Sequence, residues 1–182
     1  MPVTMDDQLK ERFPISFFHD ELADLPQWNG PLHWHSGFEI ATAENETLDY
    51  QIGEKHVTLN AGDSIFINGN LLHGIRQISG HAADPLPNIV FSGSLIAPEG
   101  SQIYQKYILP VQQCDDLPFV VFPKENKNLQ SIQNLIQEIY HCFRTQPPCY
   151  ELMIQRAASS IFEYIFLKID TFPRYPSNRI RK

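Results

Sequence analysis

A mainly β domain, a sandwich or barrel, followed by two C-terminal helices (β+α) is the fold class this sequence predicts. Short apolar or alternating runs, punctuated by Gly, Pro, Asn and Asp, recur from Phe13 to Ser92; this rhythm suits antiparallel strands rather than a parallel sheet. A helical period then takes over at Leu129, Ile132, Leu135, Ile136, Ile139, Tyr140 and Phe143. With 182 residues and 42% hydrophobic content, the chain can build one domain with a real core and a helical appendix.

Taken in order, Phe13–His19 reads as a first strand, placed at a sheet edge by Pro14. Residues 25–31 form a loop. A strand spans about 32–42. Residues 47–52 and 55–59 make a hairpin whose Gly53-Glu54 turn uses the positive φ that Gly accepts. Strands at 64–67 and 72–78 continue the meander, 80–87 is loop, and 88–92 is another strand. Ile103–Leu109 reads as a short helix stopped by Pro110, and 119–122 as a last strand. Asn128 is the predicted N-cap of the first long helix. Pro147-Pro148 ends it and starts a second, from Tyr150 to Ile169, with Ile154, Ala158, Ile161 and Ile165 on one stripe. Residues 161–167 are apolar almost all round, so this stretch requires more than one partner surface: the barrel or first helix, and a second subunit.

The net charge of −7 is uneven. Arg174, Arg179, Arg181 and Lys182 crowd the end, leaving residues 1–173 with 10 basic and 21 acidic side chains. That body repels phosphate and is a poor nucleic-acid surface. No apolar run is long enough to span a membrane, and the acidic start is wrong for a secretory signal; a cytoplasmic protein is expected. The odd set Cys114, Cys142 and Cys149 has no metal-type spacing, and free buried thiols are expected. No Ser-His-Asp, Cys-His or Walker-type constellation occurs, nor any Gly-x-Gly-x-x-Gly phosphate cradle.

The chemistry concentrates in His33-Trp34-His35-Ser36-Gly37-Phe38-Glu39 and in the later stretch from Gly62 to His73. On a continuous strand, His33, His35 and Glu39 share one face and Trp34 takes the other, toward the core or an interface. If the strand opening near His73 pairs with the first, His73 joins them. Three imidazoles and a carboxylate can ligate Zn, Fe, Mn, Ni or Cu. They can also hydrogen-bond a polar small molecule, or satisfy one another and the backbone structurally. These three readings stay open. Tyr50 and Arg76 are further candidates for the lining of the barrel mouth. His19, at the end of the first strand, is a further pocket candidate; His56, beside the hairpin turn, is expected to be exposed, and His81 and His141 carry no partner signal.

The spacing resembles the paired motifs of the cupin superfamily, His-x-His-x3-Glu and a Gly-led second motif ending in His. His33, His35, Glu39, Gly62 and His73 match; Asn68, Asn70 and Glu46 stand where Pro, Gly and Gly are usual. The His-Trp-His version is more similar to the N-terminal sensor domains of AraC-type transcription regulators. The resemblance implies a cupin or jelly-roll double-stranded β-barrel over residues 1–123, with 1–14 as a mobile arm. It implies a dimerising helical pair over 124–170, and at 171–182 a linker and the start of a DNA-binding domain that this chain lacks. The implied function is sensing of a small polar effector, such as a sugar, in the barrel. The groups at His33, His35, Glu39, His73, Tyr50 and Arg76 would contact it, with homodimerisation through the helices and DNA contacted only by the missing domain. No cofactor is required on this reading; a divalent Zn, Mn, Fe or Ni at the His/Glu cluster is the metal option. The alternative is a stand-alone metal-dependent cupin enzyme of isomerase or dioxygenase type.

Overall fold

The computed structural model describes residues 13–21, 29–79 and 85–169. The expected arm up to residue 12, His81, the linker and the basic end lie outside the described residues. Among the described residues, nine strands form two antiparallel sheets. They are β1 (Ile15–Glu21), β2 (Asn29–His33), β3 (Phe38–Thr42), β4 (Thr47–Ile52), β5 (Lys55–Leu59), β6 (Ser64–Ile67), β7 (His73–Ser79), β8 (Pro85–Phe91) and β9 (Phe119–Phe122). One sheet has the order β1-β8-β3-β6-β9, the other β2-β7-β4-β5. The chain steps repeatedly from one sheet to the other, so the two face each other as a jelly-roll barrel. Its interior is filled by Ala41, Ala43, Ile65, Ile67 and Leu86 from the first sheet, and by Leu48, Tyr50, Ile52 and Leu59 from the second.

The expected single strand over 32–42 is broken. β2 belongs to the four-stranded sheet and β3 to the five-stranded sheet, with residues 34–37 crossing between them. The expected loop over 80–87 is also shorter, because β8 starts at Pro85. Pro85 and Pro87 are accommodated because β3 reaches only as far as Asn88, so among the described residues this end of β8 pairs with β1 alone. β1 is the edge strand that Pro14 predicts. The β4–β5 hairpin turns at Gly53 with φ 57°.

β3 and β6 are buried on both faces. Their inner residues face the barrel, and their outer residues, Phe38, Ile40 and Phe66, join a second core with the helices. α1 (Leu109–Gln112) continues from a π turn at Tyr104–Ile108. Pro110 lies inside this segment rather than stopping it: the wider π turn, closed by Leu109 N–H to Tyr104 O, precedes the proline and places it in a first turn. α2 (Gln130–Thr145) and α3 (Tyr150–Ile169) follow. A 3-10 turn at Lys127–Leu129 leads into α2, so the capping side chain is Asn126, which accepts from the Asn128 N–H, and not Asn128 itself. Gln146, with φ 44°, ends α2 just before the two prolines.

Much of the surplus apolar surface of residues 161–167 is taken up within the chain. Phe162 packs on Phe38 and Phe66, Tyr164 on Phe122, and Phe166 on Tyr107 of the π turn. A second surface within the chain is therefore the helical segment before Pro110, while Leu167 stays exposed. α2 is latched to the sheet by buried polar contacts. Tyr140 Oη donates to Pro87 O at 3.1 Å and also lies 3.1 Å from Thr42 Oγ1. Ser64 Oγ donates to Gln133 Oε1, and Gln133 Nε2 to Phe122 O. Cys142 is buried as expected, whereas Cys114 is half-buried and Cys149 exposed; all three are free thiols.

Candidate ligand site at the end of the barrel

Breaking the motif strand does not scatter its side chains. His33 is the register partner of His73 across β2 and β7, so strand pairing brings the second motif to the first. His35 sits in the crossing segment and Glu39 enters the barrel from β3. The four ligand atoms lie within 4.8 Å of one another. The alternation that a straight strand would impose is not what gathers them; the step between sheets is.

The turn at 68–70 fixes the crossing segment. Asn68 is buried. Its Nδ2 donates to Val111 O at 2.8 Å and Leu117 O at 3.2 Å, and its Oδ1 accepts from the Gly69 N–H. A Cβ on Gly69 would stand 2.4 Å from Ser36 O, so the two backbones approach closely there. Asn70 adopts φ 61°, a conformation Asn tolerates, and its N–H donates to His35 O at 2.8 Å. Asn68 and Asn70 thus hold this turn against the crossing segment by their own hydrogen bonds.

Each histidine is oriented through Nδ1, which donates to a backbone carbonyl: His33 to Pro31 O at 2.9 Å, His35 to Gly37 O at 3.0 Å, His73 to Leu71 O at 2.8 Å. The Nε2 atoms of His35 and His73 then meet Glu39 Oε2 at 3.3 and 3.0 Å. Burial opposes ionisation of Glu39, but the hydrogen bonds and charge of His35 and His73 outweigh it and lower its pKa from 4.5 to about 2. Burial also opposes the His73 cation. The Glu39 hydrogen bond and charge overcome this and raise its pKa, which fits a ring donating through both nitrogens. His33, at the solvent edge, has its pKa lowered by burial, with the neighbouring His73 adding to the effect.

This donor set could hold a divalent cation. Ligands at about 2.0–2.1 Å in a tetrahedron stand about 3.3 Å apart, close to the two Nε2–Oε2 separations. The backbone carbonyls on Nδ1 are the outer partners that orient metal-binding imidazoles. A cation would displace the Nε2 protons.

The other candidates divide. Tyr50 points into the barrel, two residues from Ile52, the register partner of His73. It is 1% exposed, and its hydroxyl has no hydrogen-bond partner among the described residues. Arg76 is outside the site: His73 and Ile75 face inward, so Arg76 faces out, where it pairs with Asp49 at 3.3 Å. Trp34 is corrected too. It is 64% exposed and not in the core, because it lies in the crossing segment where strand alternation no longer applies. His56 is exposed beside the hairpin and pairs with Asp49, while His19 and His141 are exposed elsewhere. Sequence reasoning missed the anchoring role of Asn68 and the Thr42–Ser64–Gln133–Tyr140 latch. A polar residue inside an apolar run, as at Thr42 and Ser64, was the available signal.

No family model matches the chain, and no curated protein matches it in sequence. Solved structures do match in fold. An apo variant of ToxT from Vibrio cholerae superposes with TM-score 0.55 at 9% identity, over 88% of this chain and 58% of that one. ToxT bound to (E)-4-(8-methylnaphthalen-1-yl)but-3-enoic acid gives 0.53 at 12% identity, over 85% and 56%. Wild-type ToxT bound to an unsaturated fatty acid gives 0.51 at 10% identity, over 85% and 54%. The chain therefore spans a little over half the length of these ToxT structures, and shares with them the arrangement of a jelly-roll barrel and C-terminal helices.

Proposed function

We propose that this chain is the effector-sensing and dimerisation region of an AraC-type transcription regulator. The observation that carries the reading is the convergence of His33, His35, Glu39 and His73 at one end of a barrel that shares its fold with ToxT, an AraC-family regulator. The effector is a small molecule with a polar head that meets these four groups, with the buried Tyr50 hydroxyl behind them. The barrel interior is filled with side chains, so the effector lies at its end rather than deep within it. The linkage is thermodynamic: an effector shifts the chain between arrangements only by its difference in affinity for them. The route runs from His35 through Asn70 and Asn68 to the segment before β9, and so to the helices through which two copies pair. DNA would be read by a further domain.

A second reading rests on the Nδ1 contacts, which leave all three Nε2 atoms free to converge: the cluster holds a divalent cation, as part of the sensor or of a cupin-type enzyme. Two measurements separate the readings. If the coding sequence beyond Lys182 continues for about a hundred residues with two helix-turn-helix patterns, the regulator reading stands; a stop codon there sinks it. Elemental analysis of protein purified without chelators tests the cation: stoichiometric Zn, Mn, Fe or Ni supports it, while a metal-free protein that gains no stability from these ions counts against it.

A further inference from the structure

We propose that the polar pocket between the β3–β4 turn and α2 is a second ligand site, suited to a small hydroxylated monocarboxylate. The pocket encloses about 350 Å³, within the range of small-molecule sites, about 300–1,000 Å³. It shares no residue with the His/Glu cluster, and Thr42 ends β3 on the far side from Glu39. The two sites therefore stand or fall separately. The floor of the pocket is fixed: Thr42 and Gln133 are 2% and 8% exposed, and Ser64 Oγ holds both, at 2.9 and 3.0 Å.

The occupant follows from the lining. No side chain that lines the pocket is apolar or aromatic, so a hydrocarbon body or a flat ring finds nothing to pack on. Five carboxamides line it instead: Asn45, and Gln130, Gln133, Asn134 and Gln137 along one stripe of α2. Carboxamides offer donors and an acceptor side by side, which is what a run of hydroxyls requires. Gln130 Nε2 donates to Asn134 Oδ1 at 3.1 Å, leaving Gln130 Oε1 and Asn134 Nδ2 for a ligand.

Lys124 sets the charge. Gly62 adopts φ 89°, and a Cβ there would stand 2.3 Å from Lys124 Cδ and 3.1 Å from its Nζ. The lysine stem lies in the notch that the glycine leaves, which seats the ammonium in the pocket wall. Among the described residues, Lys124 Nζ has no carboxylate partner. Glu44 also lines the pocket, but it is paired with Arg144 at 3.5 Å. The Asp63 carboxylate is engaged by the backbone N–H groups of Asn60 and Lys124. Glu125 and Lys127, next along the chain, carry opposite charges and line no part of the pocket. The first turn of α2 has no acidic residue to offset the positive end of its dipole. One net positive charge thus faces the occupant, which suits a single carboxylate better than a phosphate of nearly twice the charge. The chain's overall charge of −7 acts from farther off and is screened beyond about 8 Å at physiological salt.

The test is titration calorimetry on the full chain, at physiological ionic strength, with three probes of equal chain length: gluconate, sorbitol and hexanoate. Sorbitol keeps the hydroxyls without the charge, and hexanoate keeps the charge without the hydroxyls. The variants are Lys124→Gln, Lys124→Glu, Asn134→Leu and His33→Ala, each checked for folding by circular dichroism. Gluconate is expected to bind saturably, one per chain, at least about tenfold more tightly than either analogue, the worth of one hydrogen bond to a charged group. Lys124→Gln should bring gluconate down to the level of sorbitol, and Lys124→Glu should abolish its binding. Asn134→Leu should weaken gluconate and leave hexanoate unchanged, and His33→Ala should match the wild type. Absence of saturable gluconate binding would overturn the proposal, as would equal binding of the three probes. So would gluconate binding that no pocket variant alters, or that His33→Ala alone removes, since the ligand would then lie at the other end of the barrel.

Discussion

Asn70 donates its backbone N–H to the carbonyl oxygen of His35 at 2.8 Å, and it does so from a left-handed conformation with φ 61°. One residue of the later stretch thereby sets the position of a candidate site residue of the earlier one. Asn70→Gly should leave stability unchanged within about 0.5 kcal/mol, because Gly adopts this φ freely. Asn70→Val should cost about 1–3 kcal/mol, since a β-branched residue resists it. Urea unfolding of both variants checks the contrast, and equal stabilities would show that the conformation is unimportant.

Asn68 is expected to matter for stability more than its place in a turn suggests. Its amide bridges Val111 O and Leu117 O, tying β6 to the segment that precedes β9. Asn68→Ala strands both carbonyls and should cost about 2 kcal/mol, lowering Tm by roughly 4–8 °C for a chain of this size. A Tm within a degree of wild type would remove the anchoring role.

Tyr50 and Tyr140, both buried, should respond oppositely to loss of their hydroxyls. Tyr140 bonds Pro87 O and contacts Thr42, so Tyr140→Phe should destabilise by about 1–2 kcal/mol. The Tyr50 hydroxyl has no partner among the described residues, so Tyr50→Phe should be neutral or stabilising in the absence of ligand. Paired thermal melts decide this; a destabilised Tyr50→Phe protein would mean that its hydroxyl is already satisfied.

The Glu39–His73 pair gives stability a pH signature. The Glu39 pKa is lowered from 4.5 to about 2, so its contribution is full above 4.5 and lost as pH falls toward 2. The His73 pKa is raised, so its contribution is full below 6.5 and lost as pH climbs through the folded-state value. The pair therefore stabilises most between pH 4.5 and 6.5. Unfolding of wild type and Glu39→Gln should differ most in that window, and the difference should shrink as pH falls toward 2 or climbs through the folded-state value of His73. A difference independent of pH would mean that the pair does not titrate as a unit.

Much of this architecture was legible in the sequence, for physical reasons that vary from element to element. The hairpin at Gly53, the strand at 64–67 and both long helices announce themselves through turn chemistry and period, which are local signals. His33, His35, Glu39 and His73 were legible as a set through their spacing. The path that gathers them was not: a switch between sheets at residues 34–37 leaves no local mark, and the parity argument failed at Trp34 for that reason. Pro110 misled because a π turn can absorb a proline that an α-helix interior cannot. Part of the apolar surplus at 161–167 packs on Tyr107 and its neighbours, a contact between distant parts of the chain that periodicity cannot reveal.

The most direct test of the ligand site compares thermal unfolding of the wild type and His33→Ala against a panel of small metabolites and divalent cations. His33 lies at the solvent edge, so the variant should melt normally on its own. The account predicts that at least one compound or ion raises the wild-type Tm, increasingly as its concentration exceeds its Kd, and that His33→Ala loses most of that rise. A wild type that nothing stabilises, or a variant that responds as the wild type does, would contradict the claim that these four residues read a ligand.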